Sequence, residues 1–128
     1  MSDDLTVPSR WTLEDNEKPW TVNAERTWHY KKRARVVKDC RERFTWLALE
    51  QRIPRLERVN ISVVPLAKDR RGIQDVAACA LAAKAAIDGI VDANVLVDDD
   101  PEHLRSITFF PTQVIGRYGL RLVITEVL

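Results

Sequence analysis

Three consecutive aspartates, Asp98, Asp99 and Asp100, follow an alanine-rich segment in the stretch DGIVDANVLVDDDPEH, residues 88–103. Adjacent carboxylates repel one another and raise each other's pKa unless positive charge lies among them. The triplet is therefore either a solvated acidic loop or part of a divalent-metal site. Mg²⁺ is usually held by one or two carboxylates, with waters and substrate phosphates as the remaining ligands. The triplet by itself does not choose between these alternatives.

A single lysine, Lys84, lies in the middle of the apolar run DVAACALAAKAAIDGIVDA. Asp88 follows four residues later, which on a helix is close enough for an ion pair. The lysine therefore either forms a structural pair or stabilises the charge that builds on a phosphate in a transition state. Asp75, at the predicted start of this helix, is a further candidate ligand. The sequence leaves open whether Asp75 meets the later aspartates.

The charge of the chain is separated along its length, although the net charge is only +1. Residues 26–71 hold fourteen Lys/Arg against five Asp/Glu, a net of +9, and residues 72–104 hold one Lys against seven acids, a net of −6. This pattern fits an enzyme that binds a polyanion beside metal ions, and also a surface that is merely solvated. The aromatic side chains at the head of the basic segment, Trp28, His29 and Tyr30, suit nucleic-acid contacts that combine stacking with phosphate neutralisation.

Length and composition limit the class of protein. The 128 residues suit a single domain, spanning 1–128, and no apolar run approaches the ~20 residues of a membrane span. The start MSDDLTVPSR does not resemble a signal peptide, so we expect a cytoplasmic protein. Cys40 and Cys79 have no metal-ligand spacing and are predicted to be buried or half-buried thiols. His29 and His103 lack the partners of a zinc site. The four glycines are scattered and form no phosphate-binding loop, so we expect no organic cofactor.

The predicted elements are a strand, a helix, a strand, a helix and two strands. We expect an α+β (mixed α/β) fold in which a small sheet packs with two main helices. Apolar residues at helical spacing predict a first helix over 28–51, with Tyr30 on its packed face and Lys31, Lys32, Arg35 and Lys38 mainly on the other. The strand over 56–66 is expected to close at Pro65 or to lie at an edge.

The second helix is expected to start near Asp75, with Gly89 and Asn94 marking its end. Residues 104–111 and 118–127 are expected to pair as an antiparallel hairpin. Trp20 and Trp46 are expected in the core. The alanine-rich helix is either a dimer surface or monomer core, since its small residues permit close approach in both.

In order, the segments PWTVNAERTWHY, the basic helix, KDRRGIQD and KAAIDGIVDANVLVDDDPEH resemble the RusA family of Holliday-junction resolvases of bacteria, prophages and phages. The resemblance spans roughly residues 19–104. Its most specific part runs from Lys84-Ala85 through Asp88-Gly89 and VDANVL into Asp98-Asp99. Residues 23–29 resemble the Asn, Arg and His/Trp cluster of the family, with the aromatic order reversed as Trp28-His29.

The resemblance implies a homodimeric, Mg²⁺-dependent endonuclease, with Mn²⁺ as an alternative ion, in a bacterial cytoplasm. Such an enzyme resolves four-way DNA junctions by paired symmetric nicks during recombination and repair. The carried-over catalytic residues are Asp75, Lys84 and Asp99, and the metal-binding set is Asp75, Asp88, Asp98 and Asp99, with Asp69 as a substitute. Under this resemblance Asp99, with Asp98 beside it, is the metal-binding part of the aspartate triplet, and Asp100 is expected to face solvent. The implied DNA-binding residues are Asn23, Arg26, His29, Lys31, Lys32, Arg35, Lys38, Arg70 and Arg71.

The chain departs from the family pattern ahead of Lys84. Without a gap, the two early acids fall on Ala78 and Ala80; a shift of about one helical turn places Asp75 in the first role and Ala77 in the second. One family acid, and the asparagine often found nearby, are missing in either alignment. Two further hypotheses follow. One is a catalytically weakened protein that binds branched DNA, and the other is a protein-interaction domain whose charged faces are only solvated.

Overall fold

A computed structural model describes residues 9–128, which fold into a mixed sheet with two main helices packed against it. This confirms the predicted α+β class. The elements are β1 (Arg10–Glu14), α1 (Val22–Glu25), α2 (Tyr30–Glu50), β2 (Val59–Ala67), a 3₁₀ turn (Arg70–Gly72), α3 (Ala80–Asp92), β3 (Leu104–Phe109), β4 (Gln113–Val114) and β5 (Gly119–Glu126).

The strand order is β1-β5-β2-β3, and β4 pairs with the far end of β2. β3 and β4 run parallel to β2, whereas β5 runs antiparallel to it on the opposite side. The predicted hairpin between residues 104–111 and 118–127 is therefore wrong. The last five residues of β2 are buried, so this part of the strand requires a neighbouring strand on each edge. β4 lies along one edge of β2 and β5 along the other, and the chain passes around the end of β2 between them.

Pro65 lies inside the central strand and does not close it, contrary to the expectation. Phe110 N–H donates to the Val63 carbonyl, so Val63 and, two residues on, Pro65 direct their backbone groups towards the β3 side. β3 pairing ends opposite Val63 and β4 pairing begins at Leu66. The missing N–H of Pro65 therefore falls in the gap between two neighbours, where the sheet needs no donor.

Helix α2 agrees with the predicted range to within two residues. His29 caps its start by accepting a hydrogen bond from Lys31 N–H at its Nδ1, and the buried side chains are Cys40, Phe44 and Ala48. Trp20 is buried, as expected. Two aromatic predictions are wrong: Tyr30 is 66% exposed and Trp46 is 68% exposed. Tyr30 is the first residue of the helix, well before its first buried side chain, and Trp46 lies between the buried Phe44 and Ala48 but on the solvent side of the helix.

Helix α3 is monomer core on the side that faces α2. Ala82, Ala83, Ala85 and Ala86 are buried, and a methyl group at Gly89 would lie 2.4 Å from the Arg41 carbonyl oxygen. Gly89 therefore allows close helix packing and does not end the helix, which continues to Asp92.

The predicted start at Asp75 is also wrong, because the backbone turns through residues 76–79 before the helix begins at Ala80. Ala77 has a φ of 68°, a left-handed conformation that no α-helical residue adopts.

Both cysteines are buried and free, as predicted, and burial raises the pKa of the Cys40 thiol to about 12. Among residues 9–128 no helix has the length and apolar character needed to cross a membrane.

Candidate functional site

The exit of α3 fixes the position of the acidic loop. Asn94 adopts a left-handed conformation, with a φ of 70°, that ends the helix and suits asparagine better than most residues. Val95 and Leu96 then enter the core, each about 1% exposed, and Val95 N–H donates to the Ile90 carbonyl. Because this anchor is buried, the aspartates that follow have a defined place beside the helix.

Lys84 contacts two carboxylates on the accessible side of α3. Its Nζ lies 2.9 Å from Asp88 Oδ1 and also bonds Asp99 Oδ2, fifteen residues away in sequence. The bond to Asp99, then the bond to Asp88, raises the pKa of Lys84, and the same lysine lowers the pKa of Asp99. The Lys84 side chain is 56% exposed, so the three residues form a charged cluster that solvent or a ligand can reach.

The other two aspartates of the triplet shape the loop. Asp98 Oδ1 accepts a hydrogen bond from Asp99 N–H at 2.8 Å, which orients the backbone that carries Asp99. Asp100 Oδ1 accepts from the N–H groups of Glu102 and His103 and contacts His103 Nδ1 at 2.7 Å. The bond with His103 lowers the pKa of Asp100. Asp100 is therefore a turn-forming residue, and not simply the solvent-facing residue that was expected.

A second acidic group lies next to this cluster. The ligand atoms of Asp100, Glu102 and His103 all lie within 4.8 Å of one another, and this is the one such group among residues 9–128. The sequence did not predict His103 as a metal ligand, because it has no histidine or cysteine partner nearby. The signal that was missed is the spacing of Asp100 and His103, three residues apart. Their oxygens and nitrogen are already used in closing the turn.

Asp75 is not brought to Lys84 by the helix. It lies in the exposed segment before the turn at 76–79, and its carboxylate takes part in no hydrogen bond or ion pair within residues 9–128. The four predicted metal ligands, Asp75, Asp88, Asp98 and Asp99, therefore do not form one group of close oxygens in this structure. Asp69, the substitute, pairs with Arg71 and caps the 3₁₀ turn.

The accessible stripe of α3 continues towards the basic helix. Asp92 lies four residues beyond Asp88 and receives two hydrogen bonds from the Arg41 guanidinium of α2, one of them 2.8 Å long. This pair raises the pKa of Arg41 and lowers that of Asp92. The cluster at Lys84 and the polar side of α2 are thus joined by one line of charged side chains, which the sequence reasoning did not identify.

The predicted phosphate-binding residues of the first two helices lie on consecutive elements, α1 and α2, and on the segment that joins them. All of them are solvent-exposed: Asn23, Arg26, His29, Lys31, Lys32, Arg35 and Lys38. Lys32 Nζ lies 4.8 Å from the centre of the Trp28 ring, and Trp28 packs on Trp20. Apart from a 3.8 Å contact between Lys38 and Glu42, these basic side chains have no acidic partner among the described residues.

Arg70 and Arg71 belong to a different element, the 3₁₀ turn after β2. Both are exposed, and Arg71 is partly neutralised by Asp69 at 2.9 Å. The link between this side and α1 is a backbone bond from Val22 N–H to the Ala78 carbonyl, 3.0 Å long. It attaches the start of the basic surface to the turn that precedes α3.

The chain was compared with models of protein families and with curated proteins, and neither comparison found a match.

Proposed function

We propose that this chain is a Mg²⁺-dependent endonuclease of the RusA type, which resolves four-way DNA junctions by paired symmetric nicks. The observation that carries the proposal is the accessible cluster in which Lys84 contacts both Asp88 and Asp99. These are three of the residues that the family resemblance selects. A purely structural i, i+4 pair would not require the second, long-range contact to Asp99.

The donor set of the cluster fits Mg²⁺. Asp88 and Asp99 offer only oxygen ligands, and one oxygen of each contacts Lys84 Nζ. Both carboxylates are partly accessible, which leaves room for waters and a substrate phosphate. Asp98, whose Oδ1 accepts a hydrogen bond from Asp99 N–H, is a further carboxylate beside Asp99 in the acidic loop. When bound, the ion would activate water and neutralise charge at the phosphate.

In this proposal, Lys84 exchanges its carboxylate contacts for the scissile phosphate. A water molecule loses a proton to solvent as its oxygen forms a bond to phosphorus, the bond from phosphorus to the 3′ oxygen breaks, and the leaving oxygen takes up a proton from solvent. The Lys84 ammonium offsets the negative charge that develops on the phosphate oxygens during this step. A lysine, with an ordinary pKa of 10.5, is protonated at neutral pH with or without its carboxylate contacts.

The exposed surface of α1 and α2 supports DNA as the substrate. Its basic side chains are mostly unpaired among the described residues, and Arg41 and Asp92 connect it to the cluster on α3. Phosphate contacts of this kind release counterions, so junction binding should fall by orders of magnitude between 50 and 200 mM salt. A flat salt response would count against DNA as the partner.

The test is cleavage of a labelled synthetic four-way junction with Mg²⁺. We expect symmetric nicks that disappear with EDTA and fall by about a thousandfold or more in Asp99→Asn, because a ligand of the ion and the partner of Lys84 are lost together. Asp100→Asn is the matched control: it is adjacent and also acidic, but its contacts lie within its own turn. Equal loss in both variants would mean that loop folding, and not chemistry, was affected.

A second candidate function is junction binding without cleavage. It is favoured by the separation of Asp75 from the cluster and by a missing acid. The resemblance places the two early acids at Ala78 and Ala80 without a gap, or at Asp75 and Ala77 in the shifted alignment. Under this hypothesis the wild type binds the junction tightly but leaves it intact in both Mg²⁺ and Mn²⁺. Cleavage by the wild type would reject it, and cleavage gained by Ala77→Asp would identify the missing acid as the cause.

A further inference from the structure

Trp46 is the one exposed tryptophan among the four of this chain. It is 68% exposed, whereas Trp20 is buried and Trp11 and Trp28 are half-buried. Tryptophan is highly buried on average, and an accessible indole offers a large rigid face that suits contacts with a ligand or partner. The solvent side of α2 around Trp46 is therefore a candidate binding surface.

An open cavity of about 500 Å³ lies on one side of Trp46, and this volume is within the range of small-molecule sites. Trp46 and the half-buried Leu47 supply its apolar wall, and its polar wall comes from the end of β1 and the segment before β5. Arg43 also lines the cavity, three residues before Trp46 on the helix. Residues at this spacing have Cβ atoms about 5–6 Å apart, so one small ligand can contact both side chains.

The charged groups at this cavity carry a surplus of positive charge. Asp15 is the one buried charged residue among residues 9–128, and its two oxygens accept from a backbone N–H of β5 at 2.8 Å and from Arg43 Nε at 3.1 Å. The two oxygens of Glu14 accept from Arg117 and Arg121. Three guanidinium groups thus pair with two carboxylates, which leaves a net charge of +1.

Arg43 keeps donors for a ligand. Its Nε is bonded to Asp15, but within the described part of the chain its Nη1 and Nη2 atoms donate no hydrogen bond, and the side chain is 33% exposed. The bond to a buried carboxylate fixes the guanidinium, whose free N–H groups match phosphate oxygens. Asn16 is exposed in the same cavity, and its amide offers a donor and an acceptor, as the edge of a nucleic-acid base does.

The other side of Trp46 is different in charge. A second open cavity, of about 330 Å³, is lined there by Trp46, Leu49 and two acidic residues, Glu42 and Asp92. Each of the two acids is paired with a basic residue of α2, so this side offers an anion no unpaired basic side chain. An anionic group is therefore favoured beside Arg43 and not beside Leu49.

We propose that the cavity beside Trp46 binds a nucleotide. The base stacks on the indole ring, the edge of the base meets the Asn16 amide, and the phosphate binds the free Nη atoms of Arg43. The nucleotide is either free in solution or part of a single strand, since both present the same groups. The cavity shares no residue with the Lys84 cluster, so nucleotide binding here does not depend on nuclease activity.

The first test is a titration with 2′-deoxyadenosine 5′-monophosphate in the absence of metal ions. Stacking on the exposed tryptophan should quench its fluorescence, and the quenching should saturate with a Kd below ~1 mM. By isothermal titration calorimetry, Trp46→Ala should weaken binding about tenfold or more, whereas Trp46→Phe should retain most of the affinity because a phenyl ring still stacks.

Leu49→Ala is the matched control for the tryptophan variants. Leu49 is an exposed apolar residue of the same helix, but it lines the second cavity and not the first, so its loss should leave the affinity unchanged. Because both side chains are more than half exposed, all of these variants should keep the unfolding temperature of the wild type.

A second test divides the ligand and leaves the protein unaltered. Deoxyadenosine lacks the phosphate and 2-deoxyribose 5-phosphate lacks the base, so each should bind about tenfold or more weakly than the monophosphate. A short single strand of deoxyadenosines identifies the source of the nucleotide. Tighter binding per nucleotide than that of the monophosphate, lost in Trp46→Ala, assigns the site to a strand; equal or weaker binding assigns it to a free nucleotide.

Absence of saturable quenching up to ~10 mM monophosphate would overturn the proposal. So would deoxyadenosine that binds as tightly as the monophosphate, because Arg43 would then hold no anion. Equal losses in Trp46→Ala and Leu49→Ala would also reject it, since the cavity beside Arg43 would not be the site. Junction cleavage by a chain that binds no nucleotide in this assay would leave the nuclease intact and reject this site alone.

Discussion

The two ends of α3 were both expected to supply acids to one metal site, yet they are built differently. At the exit, Asn94 turns the chain, Leu96 is buried, and Asp99 reaches Lys84. At the entry, the residues before Ala80 form a turn in which Ala77 is left-handed and Cys79 provides no side-chain cap. Asp75 stays exposed and apart from Lys84.

The difference shows what places a functional side chain reliably. Asp99 is positioned because the residues just before it are part of the core, so moving the carboxylate would require opening that core. Asp75 follows the exposed 3₁₀ turn, and the backbone near it is held by single bonds, from Gln74 N–H to Thr112 Oγ1 and from Ala78 N–H to the Asp75 carbonyl. A catalytic site assembled from both ends would therefore depend on movement at the entry.

The largest expected effect comes from weakening the anchor of the exit. Leu96→Ala removes a fully buried side chain and should lower the free energy of unfolding by about 2–4 kcal/mol, through lost burial and the cavity that remains. Val76→Ala, at the exposed entry, should change it by less than about 0.5 kcal/mol. Urea denaturation of the two variants measures both values.

Similar losses for the two variants would remove the contrast between the ends. In that case Val76 would be part of a packed surface in solution, for example in contact with a partner, and the entry would be ordered by assembly. Repeating the denaturation at several protein concentrations separates these outcomes, since stabilisation by a partner copy depends on concentration.

A smaller effect of opposite sign is expected at the entry. Ala77 has a φ of 68°, where an L-residue with a Cβ is strained and glycine is not. Ala77→Gly should therefore raise the free energy of unfolding by up to about 1 kcal/mol, even though glycine usually destabilises. Asn94→Gly is the matched control at the exit: asparagine already tolerates this conformation, and its Oδ1 accepts from Arg55, so the substitution should bring little or no gain.

Destabilisation by Ala77→Gly would show that residue 77 is not left-handed in solution. The helix would then begin nearer Asp75, as the sequence pattern predicted, and Asp75 would be brought closer to the other aspartates. The same measurement thus distinguishes an entry that is separate from the site from one that belongs to it.

The sequence predicted the elements better than their arrangement. Helical spacing located α2 to within two residues, and alternation located β2, since both patterns are local. The hairpin of β3 and β5 was wrong because strand pairing depends on which edges of β2 remain open, and this is a property of the whole sheet. Trp46 was expected in the core although it does not belong to the apolar stripe of the helix, and it lies on the solvent side between the buried Phe44 and Ala48.

The candidate site was predicted in part for the same reason. Asp88 lies on the helix with Lys84, so their contact follows from a spacing of four residues. The family resemblance assigned Asp99 and Lys84 to one site without predicting a direct contact, and in the structure the two side chains are bonded. The sequence left open whether Asp75 meets these residues. The helix start inferred at Asp75 was wrong, because the backbone makes a further turn before α3 begins at Ala80, and Asp75 lies in the segment ahead of that turn.

The smallest expected effect concerns the pH dependence of the exit. Lys84 lowers the pKa of Asp99 below its ordinary value of 3.8, so the stability contributed by this pair is present above pH 3.8 and is lost as the pH falls through the lowered value. Because Lys84 is largely exposed, the contribution should stay below about 1 kcal/mol. Lys84→Met should raise the pKa of Asp99, measured by NMR titration of its carboxyl group. It should leave the pKa of Asp100 lowered, because the cause there is the bond to His103. If both values rise together, the loop as a whole has rearranged, and the position of Asp99 depends on the lysine itself and not on the buried residues that precede it.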